Sequence, residues 1–328
     1  MAELDESPSN TNIPTEPAAP VEPTTDEQKE KVFNVQELIS LFFAGYGKES
    51  TDEKKKTFKN YLTDYLNQII QSFNFTDKYN ILILYDDSTM VKSDADKIYA
   101  AVTSFKEERP MLLVLLSRGG LSGPAYLIGK LCQEYSKGNF IVTVPRHAKS
   151  AATLICCAGK EIHMGSMSEL GPVDPQINNM PALGLKNSIE HIAGLVKKYP
   201  DSSDMFAKYL NLSIQPIQIG YYERVAESAV QYAENLLITH PENLERQAKG
   251  IAFDLVYKYK DHGFVIDKVE AEKIFGSKII KNNTPEYQFG NSIYNALKLV
   301  ETMASLLNYN FYLIGSVSSE PNFEKNKE

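Results

Sequence analysis

The sequence predicts an α/β fold, with a parallel sheet interleaved with helices and a large helical C-terminal part after it. The runs Tyr79 to Tyr85, Met111 to Leu116 and Phe140 to Val144 are short and apolar nearly throughout, the pattern of strands buried on both faces of a parallel sheet. Each is followed by a stretch in which apolar residues recur at helical spacing. Beyond Pro181 the periodicity is almost entirely helical.

Taken in chain order, residues 1–30 are rich in Pro, Glu, Thr and Ser. With few large apolar side chains they cannot offset the entropy of ordering, and they read as a disordered acidic tail. Val35 to Phe43 and Phe58 to Phe73 have helical spacing, so residues 31–78 predict N-terminal helices. The core spans residues 79–185. Its first strand ends at Asp86-Asp87 and leads to a helix with Ser93 as N-cap. Its second ends at the Gly119-Gly120 turn, before a helix from Pro124 to Tyr135. Its third is closed by Pro145 and followed by the helical run Ser150 to Ala158. Glu161 to Met164 is a fourth, shorter strand. Residues 186–315 form the helical part, with helices near Leu183 to Lys198, Pro216 to Leu237, Glu242 to Tyr259, Lys268 to Ile274 and Ser292 to Leu307. Residues 316–328 repeat the composition of the N-terminus and predict a second disordered tail.

Composition narrows the function classes. A chain of 328 residues, 43% hydrophobic and 23% charged, supplies one large globular domain with its own core. The formal charge of -8 arises from 42 acidic and 34 basic residues, and no dense basic stripe offsets it, which argues against nucleic acid as a partner. The run Lys54-Lys55-Lys56 lies beside Asp52 and Glu53 and reads as a solvated helix face. Cys132, Cys156 and Cys157 lie in apolar patterns as small buried hydrophobes, without a disulfide framework, as in a reducing compartment. No second Cys/His cluster accompanies them, so neither a metal site nor a cofactor is expected. No run approaches the ~20 apolar residues of a membrane span, and the N-terminus lacks the order of a signal peptide. A cytoplasmic protein without a membrane span is predicted.

In an open parallel sheet, ligands bind beyond the carboxyl ends of the strands. Two turns there are chemically prepared. Ser117-Arg118-Gly119-Gly120 places consecutive glycines between strand and helix, which lets backbone N–H groups approach an oxyanion without a Cβ in the way. The same pair would also make a plain tight turn. Pro145-Arg146-His147-Ala148-Lys149-Ser150-Ala151-Ala152 puts Ser150 at the start of a helix, with the Ala151 N–H placed to join a glycine N–H on an oxyanion. From spacing alone, the reading of Ser150 as a simple N-cap stands ahead of the catalytic one.

These turns, together with Leu170-Gly171-Pro172-Val173-Asp174-Pro175-Gln176, resemble the serine dehydrogenase proteinase family, a relative of signal peptide peptidase A and, more distantly, of the Clp proteolytic subunit. The resemblance covers Tyr79 to Lys186 and weakens through His262-Gly263 to Ile279. It implies a Clp/crotonase-like ββα superhelix and a soluble, ATP-independent serine peptidase acting on a peptide or protein substrate. Ser150 would be the nucleophile, with Gly119, Gly120 and Ala151 as its oxyanion hole. Clp-type enzymes carry a base histidine in the segment matching Leu170 to Gln176, where this chain has none. The signal peptide peptidase group uses a lysine, which Lys186 matches. A lysine serves as base only when burial lowers its pKa; Lys186 sits among Leu183, Leu185 and Ile189, but also reads as a surface helix residue.

His147 is a competing base, or a surface contact. Asp174 lines the cleft, orients the base or shapes the loop. Arg118 stands where the family usually has proline and puts a cation at the cleft mouth. His163 reads as a packed histidine and His191 as exposed. Family assembly implies a homo-oligomer, a trimer or hexamer. A non-catalytic scaffold or peptide-binding protein of the same fold is the alternative, with acyl-CoA chemistry behind it.

Overall fold

A computed structural model describes residues 33–177, 180–213 and 216–326. The chain from Asn34 onward forms one unit and is described by itself. The N-terminal tail expected over residues 1–30 lies outside the described residues.

Two helices come first, α1 (Val35–Tyr46) and α2 (Asp52–Ser72). Asn34 and Thr51 cap them, each side chain accepting a backbone N–H of the first turn. The βα units follow: β1 (Asn80–Asp86), α3 (Lys92–Ser104), β2 (Met111–Ser117), α4 (Ser122–Tyr135), β3 (Phe140–Val144), β4 (His147–Ala148), α5 (Ala151–Cys156) and β5 (Glu161–Met164). Next are β6 (Glu169–Leu170), β7 (Gln176–Ile177), β8 (Met180–Pro181) and the helices α6 (Ala182–Lys198), α7 (Ser203–Ser213) and α8 (Pro216–Leu237). The chain continues through α9 (Ala248–Tyr257), β9 (Ile266–Asp267), α10 (Lys268–Phe275), β10 (Ile280–Asn282), α11 (Pro285–Leu306), β11 (Tyr309–Ser316) and β12 (Asn322–Lys325).

The main sheet has the order β10-β5-β3-β2-β1-β11-β12. Strands β1, β2, β3, β5 and β10 pair in parallel, whereas β11 is antiparallel to both β1 and β12. Every residue of β1 and β2 is buried, as a sheet covered on both faces requires. Leu82, Leu84, Leu113 and Leu115 join Ile98, Ile128 and Leu236 in the core on one face. On the other face Tyr85 meets Tyr294 of α11. There α11 comes so close to β3 that a Cβ on Gly290 would lie 2.6 Å from Thr143 Oγ1.

A short ribbon leaves this sheet. β4 continues from the end of β2 through Ser117↔Ala148, pairs in parallel with β6, and β6 pairs antiparallel with β9. The ribbon is thus a branch of the same ten-stranded sheet, joined to it at the end of β2.

Several sequence expectations change. The α3 helix begins at Lys92, and its N-terminal amide at Val91 is held by Asp94 Oδ2 at 2.8 Å, so Ser93 is not its cap. Residues 241–259 break into a short turn of helix and α9 rather than one helix. The part expected to be helical contributes β9, β10 and β11. The tail expected to fray from residue 316 contains β12, whose Phe323 packs on Phe42, Tyr46, Phe58 and Phe311. Segment composition averages away one well-placed aromatic ring, and strand pairing with β11 is non-local. The three cysteines are buried, as read from the sequence; burial pushes the Cys157 thiol up to about 12, far from thiolate reactivity at neutral pH. Among the described residues, no helix is long and apolar enough to cross a membrane.

Candidate active site

The two turns flagged in the sequence meet at the carboxyl end of the sheet. Lys149 N–H donates to Ser117 O at 3.0 Å, which binds the second turn to the end of β2. Gly119 has φ of +95° and Gly120 φ of +150°, values that side chains rarely adopt. Space makes the same demand. A Cβ on Gly119 would lie 2.5 Å from Lys149 O, 2.9 Å from Ala151 N and 3.0 Å from Ser150 Cβ, and one on Gly120 would lie 2.3 Å from Met90 N.

Ser150 itself has φ of +51° and ψ of −116°, a conformation that costs a residue with a side chain about 1–3 kcal/mol. It precedes α5, but its hydroxyl makes no cap hydrogen bond. Ser150 thus holds the N-cap position read from the sequence without its hydroxyl making the cap bond. The strained residue sits at a strand-to-helix turn, between β4 and α5.

The amides beside it differ in availability. Gly119 N–H is taken by Ser117 Oγ at 3.1 Å. The bridge to Met90 uses Gly119 O and Leu121 N, which leaves Gly120 N–H without a partner among the described hydrogen bonds. Ala151 N–H opens α5 and has no intrahelical acceptor.

The cleft mouth is a charged cluster. His147 Nε2 lies 2.7 Å from Asp87 Oδ1, and Arg118 lies 3.3 Å from Asp87 Oδ2 with its side chain 72% exposed. Burial by itself would raise the Asp87 carboxyl, but the His147 bond and the charges of His147, Arg118 and Lys298 outweigh it and hold the group below the usual carboxylate range. His147 is thus a bonded residue rather than a free loop histidine. Lys149 is tied to Glu169 at 3.1 Å and to Leu170 O at 3.3 Å. Lys186 falls in the first turns of α6, and its side chain lies outside the described residues. His163 is buried between Thr284 and Glu161, and His191 is exposed, both as expected.

Asp174 is buried at 7% exposure, and its Oδ2 lies 3.8 Å from His262 Nδ1. Neither Asp87 nor His262 was picked out from the sequence as a site residue. A strand-end carboxylate such as Asp87 carried some signal at the end of the first apolar run. His262 carried only the weaker part of the resemblance, because the β6–β9 pairing that brings its loop here is not local.

The strands and helices define an α/β protein built on a largely parallel sheet. Residues 81–218 match the family described as ClpP-like SDH-type serine proteinase, the family that the motifs resemble. Two uncharacterized proteins of Methanocaldococcus jannaschii are 32% identical over 129 residues and 34% identical over 92 residues, covering 39% and 28% of this chain. The matched regions span 44% and 31% of those relatives, less than half of their lengths. Among solved structures, two mutants of the 1510-N membrane-bound stomatin-specific protease, one in complex with a substrate peptide, superpose with TM-scores of 0.40. They are 14% and 15% identical, covering 75% and 76% of this chain and 93% and 88% of theirs.

Proposed function

We propose that this protein is an ATP-independent serine peptidase in which Ser150 attacks the carbonyl carbon of a peptide bond. The oxyanion is received by the N–H groups of Gly120 and Ala151, with Gly119 shaping the turn against Ser150. The observation that carries this reading is the positive φ of Ser150, kept against the positive-φ Gly119 turn, where a Cβ on Gly119 would lie 3.0 Å from Ser150 Cβ and 2.9 Å from Ala151 N. Strain of that kind persists where the surrounding structure imposes it, and it gathers at functional sites.

In the reaction, Ser150 Oγ bonds to the carbonyl carbon while its proton passes to a base, and that proton then leaves with the amine. Water repeats the sequence on the acyl-enzyme. For the base, the resemblance points to Lys186 in its neutral form, giving a Ser150/Lys186 dyad. Arg118 and Asp174 line the cleft in this reading. The reading also takes in a cytoplasmic location and a homo-oligomer, trimer or hexamer, which sedimentation would measure.

The test is covalent labelling. A fluorophosphonate probe should modify Ser150 in the full chain, located by peptide mass spectrometry, and Ser150→Ala should take none. A folded protein that several such probes leave unmodified would refute the proposal in favour of a non-catalytic scaffold.

A further inference from the structure

The ribbon of β4, β6 and β9 places more than the serine. β4 runs parallel to β6 through His147↔Glu169 and Ala148↔Leu170, and β6 runs antiparallel to β9 through Glu169↔Asp267 and Leu170↔Ile266. Because β9 runs the other way, the residues that precede it lie where β4 and β6 finish. Ser150 follows β4, Asp174 follows β6, and His262 precedes β9. A hydroxyl, a carboxylate and an imidazole are therefore delivered to one end of one three-stranded ribbon.

Two buried polar atoms at that end have no hydrogen-bond partner, Asp174 Oδ1 and His262 Nδ1. Leaving such an atom unsatisfied costs about 1–3 kcal/mol, so two on facing residues require a reason. The separation of 3.8 Å between Asp174 Oδ2 and His262 Nδ1 is too long for a hydrogen bond and short enough for an ion pair. The other nitrogen, His262 Nε2, makes no hydrogen bond among those described, and the side chain is 32% exposed. An imidazole with Nδ1 turned to a buried carboxylate and Nε2 open has the orientation of a general base for serine.

Both arms of the pair are braced. The Asp174 segment is tied to the Ser150 turn by Thr153 Oγ1, which lies 2.7 Å from Ala148 O and 2.8 Å from Gly171 O. The His262 loop starts at Lys258 and Tyr259, which Glu270 of α10 holds at 2.7 and 2.9 Å.

We infer that His262, oriented by Asp174, takes the proton of Ser150, the role that the resemblance gives to Lys186. The inference rests on the peptidase reading above. As the bond from Ser150 Oγ to the carbonyl carbon forms, the carbonyl π pair moves to oxygen and the Oγ proton moves to His262 Nε2. When the C–N bond breaks, the same proton goes to the leaving nitrogen. Asp174 holds the imidazolium in between. The 3.8 Å gap is in keeping with ligand-free sites, whose catalytic hydrogen bonds are often long and tighten with substrate.

The experiment compares fluorophosphonate labelling rates of Ser150 and peptide hydrolysis in wild type, His262→Ala and Asp174→Asn, with folding checked by circular dichroism. If His262→Ala does not fold, His262→Asn, which keeps a polar side chain, takes its place. The inference expects the histidine variant to lose about 10²–10⁴-fold in rate, with KM changed little and part of the rate restored by added imidazole. Asp174→Asn should lower kcat and shift the pH profile without that rescue. A folded histidine variant that labels at the wild-type rate overturns the inference, and so does a loss that imidazole fails to restore. A wild-type protein that takes no label fails the peptidase reading itself, a distinct outcome.

Discussion

Thr153 and Gly171 are locked together behind the serine turn. The Thr153 hydroxyl accepts the Gly171 N–H at 3.1 Å while lying within bonding distance of two carbonyls, on Ala148 and on Gly171 itself. One buried hydroxyl thus couples the end of β4 to the segment that carries Asp174. Thr153→Val keeps the shape and removes the coupling, leaving a buried N–H unpaired at a cost of about 1–3 kcal/mol. Thermal unfolding should shift down, and Ser150 labelling should slow.

Gly119→Ala should be far more damaging than its size suggests. The new methyl would overlap Lys149 O at a φ that alanine disfavours by about 1–2 kcal/mol. Folded yield and Ser150 labelling should both fall. Gly123→Ala is the control, because nothing lies within 4 Å of a Cβ there. It should retain wild-type stability and labelling, and equal behaviour of the two variants would contradict the packing described.

Glu270 gives the protein an acid-sensitive clamp. Hydrogen bonds from Lys258 first, then Tyr259 and Lys273, lower its pKa from 4.5 to about 2. A folded-state value below the unfolded one means the stabilisation is fully present above about pH 4.5 and is lost as pH falls toward about 2. Glu270→Gln should lower the urea midpoint at pH 7, and the difference from wild type should shrink steadily between those two values. A difference independent of pH would show that the clamp is not ionic.

Phe323 tests the last strand. Its ring lies 4.3 Å from the Tyr46 centroid and 5.2 Å from that of Phe311. Phe323→Ala should cost roughly 2 kcal/mol, less than the ~3–5 of a fully buried phenylalanine, because the residue is only partly buried. Denaturant unfolding would read the loss. No change would mean that β12 is not part of the cooperative unit.

The parallel strands were legible because a strand buried on both faces must be apolar along its length, as Leu82 to Leu84 and Leu112 to Leu116 are. The glycine turn and Ser150 were legible for a related reason, since strand-to-helix turns need special residues at fixed offsets. β11 and β12 were not. Tyr309–Ser316 follows a long helix and mixes polar with apolar residues, and its strand character comes from pairing with β1 on one side and β12 on the other. The start of α3 was missed by two residues, because Asp94 reaches back to the Val91 amide instead of Ser93 capping forward.

By itself the sequence determined the order of the βα units from β1 to β5 and the residue types at the two turns, because these depend on periodicity and on backbone conformations open to few residues. Tertiary structure alone decided which polar groups around the two turns are paired with one another. Gly119 loses its N–H to Ser117, Asp87 gathers His147 and Arg118, and an antiparallel partner strand carries His262 to Asp174. The physical reason is that hydrogen-bond partners and strand register are set across long stretches of chain, where local spacing holds no information.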